Sequence, residues 1–316
     1  MKRILVTGAK GFIGRHIAKT FADAGWHAVG VGHGSWSDRE AKAYGVELWN
    51  ESEITHGAIS AMCEAAGRPD VVFHAAGGAS VGLSVTHPLL DFDRTVRTTA
   101  VLLDAIRRLA PEAMLIMPSS AAVYGMAGAG PISESDPLTP VSPYGVHKCM
   151  TEQLVTGAHR LFGLRYAIVR YFSVYGPGLR KQLLWDLSQK LAAKPGEIVL
   201  SGTGEETRDF LHVQDAARLA LALAMNDGRP DALTVNGGCG RSVTVRDVAE
   251  ALKQHLSPKT KVRFNQKQRA GDPHHYMADT RLLKTTGFRL TQDFDKGLAG
   301  YVAWFTHAEE DQRKCA

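Results

Sequence analysis

The sequence predicts an α/β protein built on a doubly wound parallel sheet, with a smaller α/β lobe formed by the C-terminal part of the chain. Three observations predict it. Short apolar runs alternate with segments of helical period through the first half, a glycine-rich turn joins the first run to the first helix, and this pattern loosens after Tyr171. Strands and helices that alternate in this way form a parallel sheet covered by helices on both faces.

The predicted elements follow one another in regular order. Six short apolar segments are predicted strands: Arg3–Val6, Ala28–Val31, Val46–Leu48, Val71–His74, Met114–Pro118 and Arg165–Val169. Four segments between them are predicted helices: Phe12–Ala24, Ala58–Ala66, Thr95–Leu109 and Tyr144–Phe162. Apolar residues recur in these four at spacings of three and four, which is the spacing of a helix packed on a sheet.

The second half of the chain is less regular. Proline and glycine interrupt short segments after Tyr171, and two further helices are predicted at Leu282–Gly287 and Gly297–Phe305. Residues 208–236 again have the order helix then strand, with Leu233–Val235 as the strand, so this segment is predicted to return to the first domain. The predicted division is a first domain of residues 1–171 plus about 208–236, and a second lobe of residues 172–207 and 237–316.

Composition limits the classes of protein that the chain could represent. Its 316 residues are 44% hydrophobic and 22% charged, which suffices for a large domain and a smaller lobe. The net charge is +5, but acidic and basic residues are interleaved, so no nucleic-acid partner is expected. Four scattered cysteines without a CxxC spacing, and no apolar run of membrane-spanning length, predict a cytoplasmic protein with reduced thiols and no membrane partner.

A glycine-rich turn, Thr7–Gly14, follows the first predicted strand and opens the first helix. Its glycines, Gly8, Gly11 and Gly14, let the backbone approach a pyrophosphate, whose charge meets N–H groups and the positive end of the helix. A glycine triplet alone is weak evidence, and a simple turn is the alternative. The position between strand and helix favours a dinucleotide site and therefore a Rossmann-type fold.

A second motif, Tyr144-Gly145-Val146-His147-Lys148, places a phenol and an ammonium four residues apart on one helix face. Ser142 and Pro143 have the residue types of an N-cap and a first helical position, so Tyr144 is predicted near the helix start. A phenol with a pKa near ~10 acts as a base near neutrality only after a depression of roughly three units, or about 4 kcal/mol. Lys148 and an oxidised nicotinamide are expected to supply that positive field.

Several further motifs stand in the same order as in one known family. They are Pro118-Ser119-Ser120-Ala121-Ala122-Val123-Tyr124-Gly125, Val72-Phe73-His74-Ala75-Ala76, Arg170-Tyr171-Phe172-Ser173-Val174-Tyr175-Gly176-Pro177-Gly178, Thr207-Arg208-Asp209-Phe210-Leu211-His212-Val213-Gln214-Asp215 and Arg269-Ala270-Gly271-Asp272. Together with the GxxGxxG turn and the YxxxK motif, they resemble the extended short-chain dehydrogenases/reductases that act on nucleotide sugars. The resemblance, to the UDP-glucose 4-epimerase-like epimerases, dehydratases and ketoreductases, covers nearly the whole chain.

The resemblance implies roles for individual residues. Ser120, Tyr144 and Lys148 are the expected catalytic residues, and Arg208 and Arg269 are expected to hold the phosphates of a nucleoside-diphosphate sugar. The expected cofactor-binding residues are Gly8, Lys10, Gly11, Phe12, Ile13, Gly14, His33, Ser35, Arg39, Asn50, Ala75, Ala76, Gly77, Thr95, Tyr144, Lys148 and Tyr171. The expected substrate-binding residues are Ser80, Ser120, Ser173, Gln182, Arg208, Arg269 and Asp272. A homodimer through the helices Thr95–Leu109 and Tyr144–Phe162 is also implied.

The cofactor is predicted to be NAD or NADP, with NADP favoured. Members of the resembling family usually carry an acidic residue at the end of the second strand, where it binds the ribose 2′-hydroxyl. That position is Gly32 here, with His33, Ser35 and Arg39 nearby, so no carboxylate at this position repels a 2′-phosphate. The alternative is a short solvated loop without a role in choosing the cofactor.

Among the possible activities, a 4-epimerase is placed first and an NADPH-dependent 4-keto-6-deoxy-sugar reductase second. The 4,6-dehydratases of the resembling family carry Asp-Glu after the catalytic hydroxyl, whereas Ala121 and Ala122 can transfer no proton. A non-catalytic NAD(P)-sensing protein is less favoured, because both Tyr144 and Lys148 are present. No metal site is expected, because the adjacent histidines His274 and His275 point apart.

Overall fold

A computed structural model describes residues 1–128, 130–226, 228, 230–267 and 274–315, with side chains described as far as residue 310. The strands are β1 (Arg3–Thr7), β2 (His27–Gly32), β3 (Val46–Glu51), β4 (Val71–His74), β5 (Met114–Ser120), β6 (Tyr166–Tyr171), β7 (Ser173–Tyr175), β8 (Glu197–Leu200), β9 (Thr207–Arg208), β10 (Phe210–His212), β11 (Ala232–Gly237), β12 (Val243–Thr244) and β13 (Lys261–Phe264). Each predicted strand therefore corresponds to an observed one, and most are longer by one or two residues.

The helices also follow the predicted order in the first half. They are α1 (Phe12–Asp23), α2 (Asp38–Ala43), α3 (His56–Ala66), α4 (Val81–Thr86), α5 (Pro88–Phe92), α6 (Thr98–Leu109), α7 (Pro143–Phe162), α8 (Gln182–Ala192), α9 (Val213–Met225), α10 (Val245–Leu256), α11 (Arg281–Thr285) and α12 (Phe294–Cys315). A π-helical turn, Asp93–Arg97, precedes α6, so the predicted helix from Thr95 to Leu109 has an irregular first turn. The short α2, α4 and α5 were not predicted.

Seven parallel strands form the main sheet in the order β11-β6-β5-β4-β1-β2-β3. The chain moves outward from β1 in one direction through β2 and β3 and in the other through β4, β5 and β6. The strand order therefore reverses between β1 and β4, and in open α/β sheets a ligand binds at the carboxyl end of such a reversal. This confirms the predicted doubly wound sheet.

Helices cover both faces of the main sheet. Ile4 and Val6 of β1 face one core, which α1 and α9 close through residues such as Phe21. Leu5 faces the opposite core with Leu102, where α3, α6 and α7 pack. Because both faces are buried, the strands are apolar at successive positions and not at alternate ones.

The chain returns to the main sheet late. β11 pairs in parallel with β6 over six residues, from Ala232 with Tyr166 to Gly237 with Tyr171. The remaining strands form three two-stranded sheets, β10-β7, β12-β9 and β13-β8. The helices α8, α10 and α12 share a third core with β8 and β10. The assignment of residues to two domains goes beyond these contacts and stays a prediction. Within the described ranges, every helix lacks the length or the hydrophobicity that a bilayer crossing would need.

Candidate active site

The glycine-rich turn between β1 and α1 fits closely against the loop that follows β4. Gly8 has a φ of 69°, and a Cβ there would lie 2.8 Å from the backbone nitrogen of Ala76. A Cβ on Gly14 would lie 2.2 Å from the Gly8 carbonyl oxygen. The N-cap of α1, Gly11, provides no side-chain hydrogen bond, so the N–H groups of the first turn are available to an anion. The turn therefore has the backbone geometry that a pyrophosphate requires.

A chain of hydrogen bonds beneath this turn fixes the loop after β4. The His74 Nδ1 lies 2.7 Å from the Thr7 hydroxyl oxygen, and its Nε2 lies 3.1 Å from the Thr99 hydroxyl oxygen. Thr99 donates to the carbonyl of Thr95 at 2.7 Å, so its oxygen accepts from the His74 Nε2–H, and Thr7 donates to Nδ1. Thr7 also accepts from the backbone N–H of Ala76 at 3.2 Å. Burial lowers the pKa of His74 to about 3, so the ring is neutral.

Of the residues expected to bind the cofactor, Ala75, Ala76 and Gly77 are at least partly exposed in this loop. Thr95 is different, because it is only 2% exposed and its hydroxyl accepts from the Gly78 N–H at 2.9 Å. The Thr95 hydroxyl therefore binds the loop on its buried side and fixes the position of the loop. Phe12 and Ile13 form the first turn of α1 and are partly buried.

Several of the residues expected to bind the cofactor lie near the end of β2, and the structure shows a contact between two of them, Lys10 and Ser35. The Lys10 ammonium donates to the carbonyl of Ser35, which places a cation beside the loop that follows Gly32. Asn50 lies on β3 opposite Val31. His33 is exposed, and Arg39 is exposed on α2, which Ser37 caps together with Glu40.

Tyr171, one of the expected cofactor-binding residues, has a buried side chain. The phenol is buried in the core on the α9 side of the sheet, where its hydroxyl donates to the carbonyl of Ala216 at 3.1 Å. Its side chain is therefore a core residue, and only its backbone could contact a cofactor. The motif Arg170-Tyr171-Phe172 is continuous in sequence, but adjacent side chains on a strand point to opposite faces.

The helix α7 begins as its sequence predicts. The Ser142 hydroxyl accepts from the Gly145 N–H at 3.2 Å, and Pro143 occupies the first turn. A Cβ on Gly145 would lie 2.6 Å from the carbonyl oxygen of Ala122, so the helix start lies directly on the turn that follows β5. This close packing carries Tyr144 to the end of β5, where Ser120 lies.

The structure brings the three expected catalytic side chains together. The Ser120 hydroxyl lies near enough to the Tyr144 phenol to lower the pKa of that phenol. The Lys148 ammonium lies 5.8 Å from the centroid of the Tyr144 ring and donates to the carbonyl of Pro118 at 3.1 Å. The three groups lie at the carboxyl end of β5, beside the loop after β4.

Burial and nearby charges shift the pKa values of the catalytic residues. Burial raises the pKa of Tyr144, the hydrogen bond from Ser120 opposes that rise, and the carboxylate of Asp91 adds to it. Burial lowers the pKa of Lys148 to about 8, against the opposing charges of Asp91 and Glu152. Desolvation of the phenolate is the largest cause of this rise. The expectation that Lys148 and an oxidised nicotinamide together lower the pKa of Tyr144 stays a prediction.

A buried polar network lies behind the catalytic residues. Arg170 of β6 forms a two-pronged ion pair with Glu152 of α7, at 3.0 Å from Nε and 2.7 Å from Nη2. Glu152 also accepts from the Ser119 hydroxyl at 2.5 Å, and Arg170 donates to the Tyr124 hydroxyl at 3.0 Å. Because Ser119 precedes Ser120 and Glu152 lies one turn after Lys148, this network fixes the strand end and the catalytic helix relative to each other.

A second buried pair lies closer to the catalytic lysine. The Nδ1 of His147 lies 2.6 Å from a carboxylate oxygen of Asp91, and both side chains are buried. A Cβ on Gly78 would lie 2.0 Å from the other Asp91 oxygen, so this carboxylate also touches the loop after β4. Sequence analysis missed both the pair and the network. His147 and Arg170 stand inside quoted motifs, but their partners lie far away in the sequence.

The expected substrate-binding residues are placed less completely. Ser80 caps α4 by accepting from the Leu83 N–H at 3.2 Å, and Ser173 is partly exposed at the start of β7. Gln182 is exposed with a φ of 67°, and Arg208 donates to the carbonyl of Thr207 at 2.8 Å. Arg269 and Asp272 lie outside the described residues.

The fold and the site together define a class of protein. A glycine-rich turn at the strand reversal fits a dinucleotide, and a serine and a tyrosine close together, with a lysine one helical turn later, lie at the adjacent strand end. This is the arrangement of a short-chain dehydrogenase/reductase of the extended type, which the motifs of the sequence resemble.

Comparison with known proteins agrees with this class. The model of the NAD dependent epimerase/dehydratase family matches residues 4–236. A UDP-glucose 4-epimerase of Azospirillum brasilense is 33% identical over 293 residues, which cover 87% of this chain and 83% of that protein. The chain therefore belongs to the NAD dependent epimerase/dehydratase family.

Two solved structures share the whole architecture. A UDP-glucose 4-epimerase from Thermotoga maritima with UDP-glucose is 26% identical with a TM-score of 0.87, covering 97% of this chain and 99% of that one. A UDP-glucuronic acid 4-epimerase from Bacillus cereus in complex with UDP-glucuronic acid and NAD is 25% identical with a TM-score of 0.87 and the same coverage.

Proposed function

We propose that this protein is a nucleotide-sugar 4-epimerase that oxidises carbon 4 of a hexose transiently and then reduces it from the other face. The observation that carries the proposal is the proximity of Ser120 to the Tyr144 phenol, with Lys148 beside the ring, at the strand end next to the dinucleotide turn. Relatives named as UDP-glucose 4-epimerases support a uridine diphosphate hexose as the substrate.

The side chains have distinct parts in this reaction. The Tyr144 phenolate accepts the proton of the sugar 4-hydroxyl while the hydride leaves carbon 4, and it returns the proton when the hydride comes back. Ser120 hydrogen-bonds the sugar oxygen and the phenol. The glycine-rich turn Thr7–Gly14 would hold NAD(P)⁺, which would supply the hydride acceptor and a positive charge near the Tyr144 phenolate. Lys148 adds a second positive charge beside the ring.

The residues after Ser120 support an epimerase over a dehydratase. Ala121 and Ala122 form a 3-10 turn directly after the catalytic serine, and Ala121 is buried. Elimination of water across carbons 5 and 6 requires an additional acid and base, which methyl groups cannot supply.

The test is to incubate the pure enzyme with UDP-glucose, UDP-galactose and UDP-glucuronic acid without added cofactor. An epimerase interconverts the 4-epimers at constant nicotinamide absorbance, and Tyr144→Phe lowers kcat by about 10³-fold or more. Stoichiometric consumption of NADPH with a 4-keto-6-deoxy sugar would instead establish the reductase. Gly32 favours that alternative, because a position without a carboxylate is compatible with NADPH, which a reductase must exchange after each turnover.

We further propose that the adenosine pocket accepts the 2′-phosphate of NADP. Gly32 provides no carboxylate to repel it, and the Lys10 ammonium lies at the carbonyl of Ser35 beside this position. Lys10→Gln should weaken NADP more than NAD in a direct binding measurement. An equal effect on both dinucleotides would contradict the proposal.

We also propose a homodimer through α6 and α7. Val146, Met150 and Leu161 lie on one face of α7 and are exposed, although they are apolar. Phe162 joins this surface to α6, because the Arg107 guanidinium lies 5.0 Å from its ring centroid. An apolar helical face of this kind typically packs against its own copy in a symmetric dimer.

A further inference from the structure

Lys181 is a cation near the catalytic residues that the proposed mechanism does not use. It follows β7 and immediately precedes α8. Its ammonium donates to the carbonyl of Ala79, in the loop after β4, at 3.4 Å. The side chain is exposed and reaches from the segment before α8 to the loop after β4, and these two segments form the sides of the cleft.

The contact that Lys181 makes in this position is a weak one. A distance of 3.4 Å exceeds the usual length of an N–H···O hydrogen bond, and the acceptor is an uncharged carbonyl. Among the residues that the structure describes, no carboxylate forms an ion pair with Lys181. A charged oxygen atom is a stronger partner for an ammonium than a carbonyl, so an anionic ligand would displace this contact.

The electrostatics of the cleft point in the same direction. Lys181 lies near enough to Lys148 for its charge to lower the pKa of Lys148. Two ammonium groups in one cleft repel each other, and an anion placed between them would be attracted to both.

The neighbouring cation, Arg180, has a different environment. Its guanidinium lies 5.5 Å from the ring of Trp185 and 5.4 Å from the ring of Trp304, so it packs against the aromatic side chains of α8 and α12. Adjacent cations therefore have different environments, one against aromatic rings and one across the catalytic cleft. Arg180 is the matched control for any effect of charge alone.

We propose that Lys181 binds the anionic oxygen of the substrate that lies nearest to the reacting sugar. This oxygen belongs either to the phosphate attached to the sugar or to a carboxylate on carbon 6 of a uronic acid. The inference rests on the proposed 4-epimerase function. It makes Lys181 a determinant of substrate affinity, separate from the proton-transfer residues.

The experiment compares wild type, Lys181→Gln, Lys181→Arg and Arg180→Gln with UDP-glucose and UDP-glucuronic acid. Loss of a charge-assisted hydrogen bond should raise KM about tenfold for Lys181→Gln, with a smaller change in kcat and partial recovery in Lys181→Arg. Equal loss for both substrates assigns the contact to the phosphate, and loss for UDP-glucuronic acid alone assigns it to the carboxylate. Changes below about twofold for both substrates, or an equal loss in Arg180→Gln, would overturn the proposal.

Two further measurements distinguish a charge that binds substrate from a lysine that only supports the fold. Removal of the Lys181 charge raises the pKa of Lys148, so the alkaline limb of the kcat profile should move to higher pH in Lys181→Gln. A purely structural lysine would leave that limb in place. Calorimetric binding of UDP-glucose and UDP-glucuronic acid to wild type and Lys181→Gln needs no turnover, so it tests the contact even if neither sugar is epimerised.

Discussion

The chemistry of single residues in this site is set by burial and by a few charges. Tyr144 and Lys148 are four residues apart on α7, yet burial moves their pKa values in opposite directions, up for the phenol and down for the ammonium. Asp91 raises both values, because a negative charge opposes formation of the phenolate and favours the ammonium. His147 holds Asp91 in place through a 2.6 Å contact. The buried carboxylate of Asp91 therefore acts on Tyr144 and Lys148 through its charge.

Asp91→Asn provides the test at this scale. The amide can still accept a hydrogen bond from His147, but the negative charge is removed, so the pKa of Tyr144 should fall. The acid limb of the kcat profile should therefore move to lower pH. Asp93→Asn, which changes a nearby carboxylate on the same segment, is the control and should leave the limb unchanged. An identical profile for wild type and Asp91→Asn would remove the electrostatic role of Asp91.

The catalytic motifs could be predicted from the sequence because each is local. Tyr144 and Lys148 share one helix, Ser142 and Pro143 mark its start, and Ser120 ends an apolar strand. Lys181 and Asp91 could not be predicted in the same way, since their roles depend on contacts with residues 102 and 56 positions away. No periodic pattern in the sequence indicates a contact over either of these separations.

On the scale of secondary structure elements, hydrogen bonds between side chains fix β1, β4 and α6 against each other. Thr7 ends β1, His74 ends β4, and Thr99 lies in the first turn of α6. The apolar periodicity predicted these elements, but it carried no information on the polar contacts that align their ends. The short helix α2 does have a local signal, because Ser37 and Glu40 form a capping box that sequence analysis did not use.

Thr7→Val tests this alignment. Valine keeps the shape of the side chain but removes the hydroxyl, which leaves the Ala76 N–H and the His74 ring without their partner. We expect a loss of about 1–3 kcal/mol in the free energy of unfolding, and weaker dinucleotide binding. Urea unfolding and calorimetry measure the two effects, and Thr7→Ser should retain most of both. Unchanged dinucleotide affinity in Thr7→Val would show that the hydrogen bonds do not shape the cofactor site.

On the scale of the whole molecule, Asp209 links segments that are distant in sequence. Its buried carboxylate accepts from the N–H groups of Cys239 at 2.7 Å, Gly240 at 2.8 Å and Ala278 at 3.0 Å. The sequence predicted the doubly wound sheet and the return of the chain at β11, because both depend on alternating apolar runs. The pairings β10-β7, β12-β9 and β13-β8 were not predictable, since these strands have only two to four residues and no clear period.

The proposed dimer is tested at this scale. Leu161 is 75% exposed on α7, and a glutamate there would place a charge in the proposed apolar interface. Wild type should elute as a dimer in size-exclusion chromatography with light scattering, and Leu161→Glu with Met150→Glu should elute as a monomer. Leu138→Glu changes an exposed leucine outside both helices and should stay dimeric. A monomeric wild type at micromolar concentration would contradict the proposal.

The neutral ring of His74 makes the enzyme sensitive to acid. The pKa of His74 is about 3 in the folded protein and 6.5 in the ordinary case. Between pH 6.5 and 3 the His74 ring is therefore protonated in the unfolded chain and neutral in the folded one. Stability from this residue is complete above pH 6.5 and is lost as the pH falls toward 3, by about 5 kcal/mol in total. His74→Gln should show a flatter dependence of its urea midpoint on pH between 7 and 5 than wild type does. The support beneath the dinucleotide turn therefore weakens on acidification through a residue that takes no part in proton transfer to the sugar.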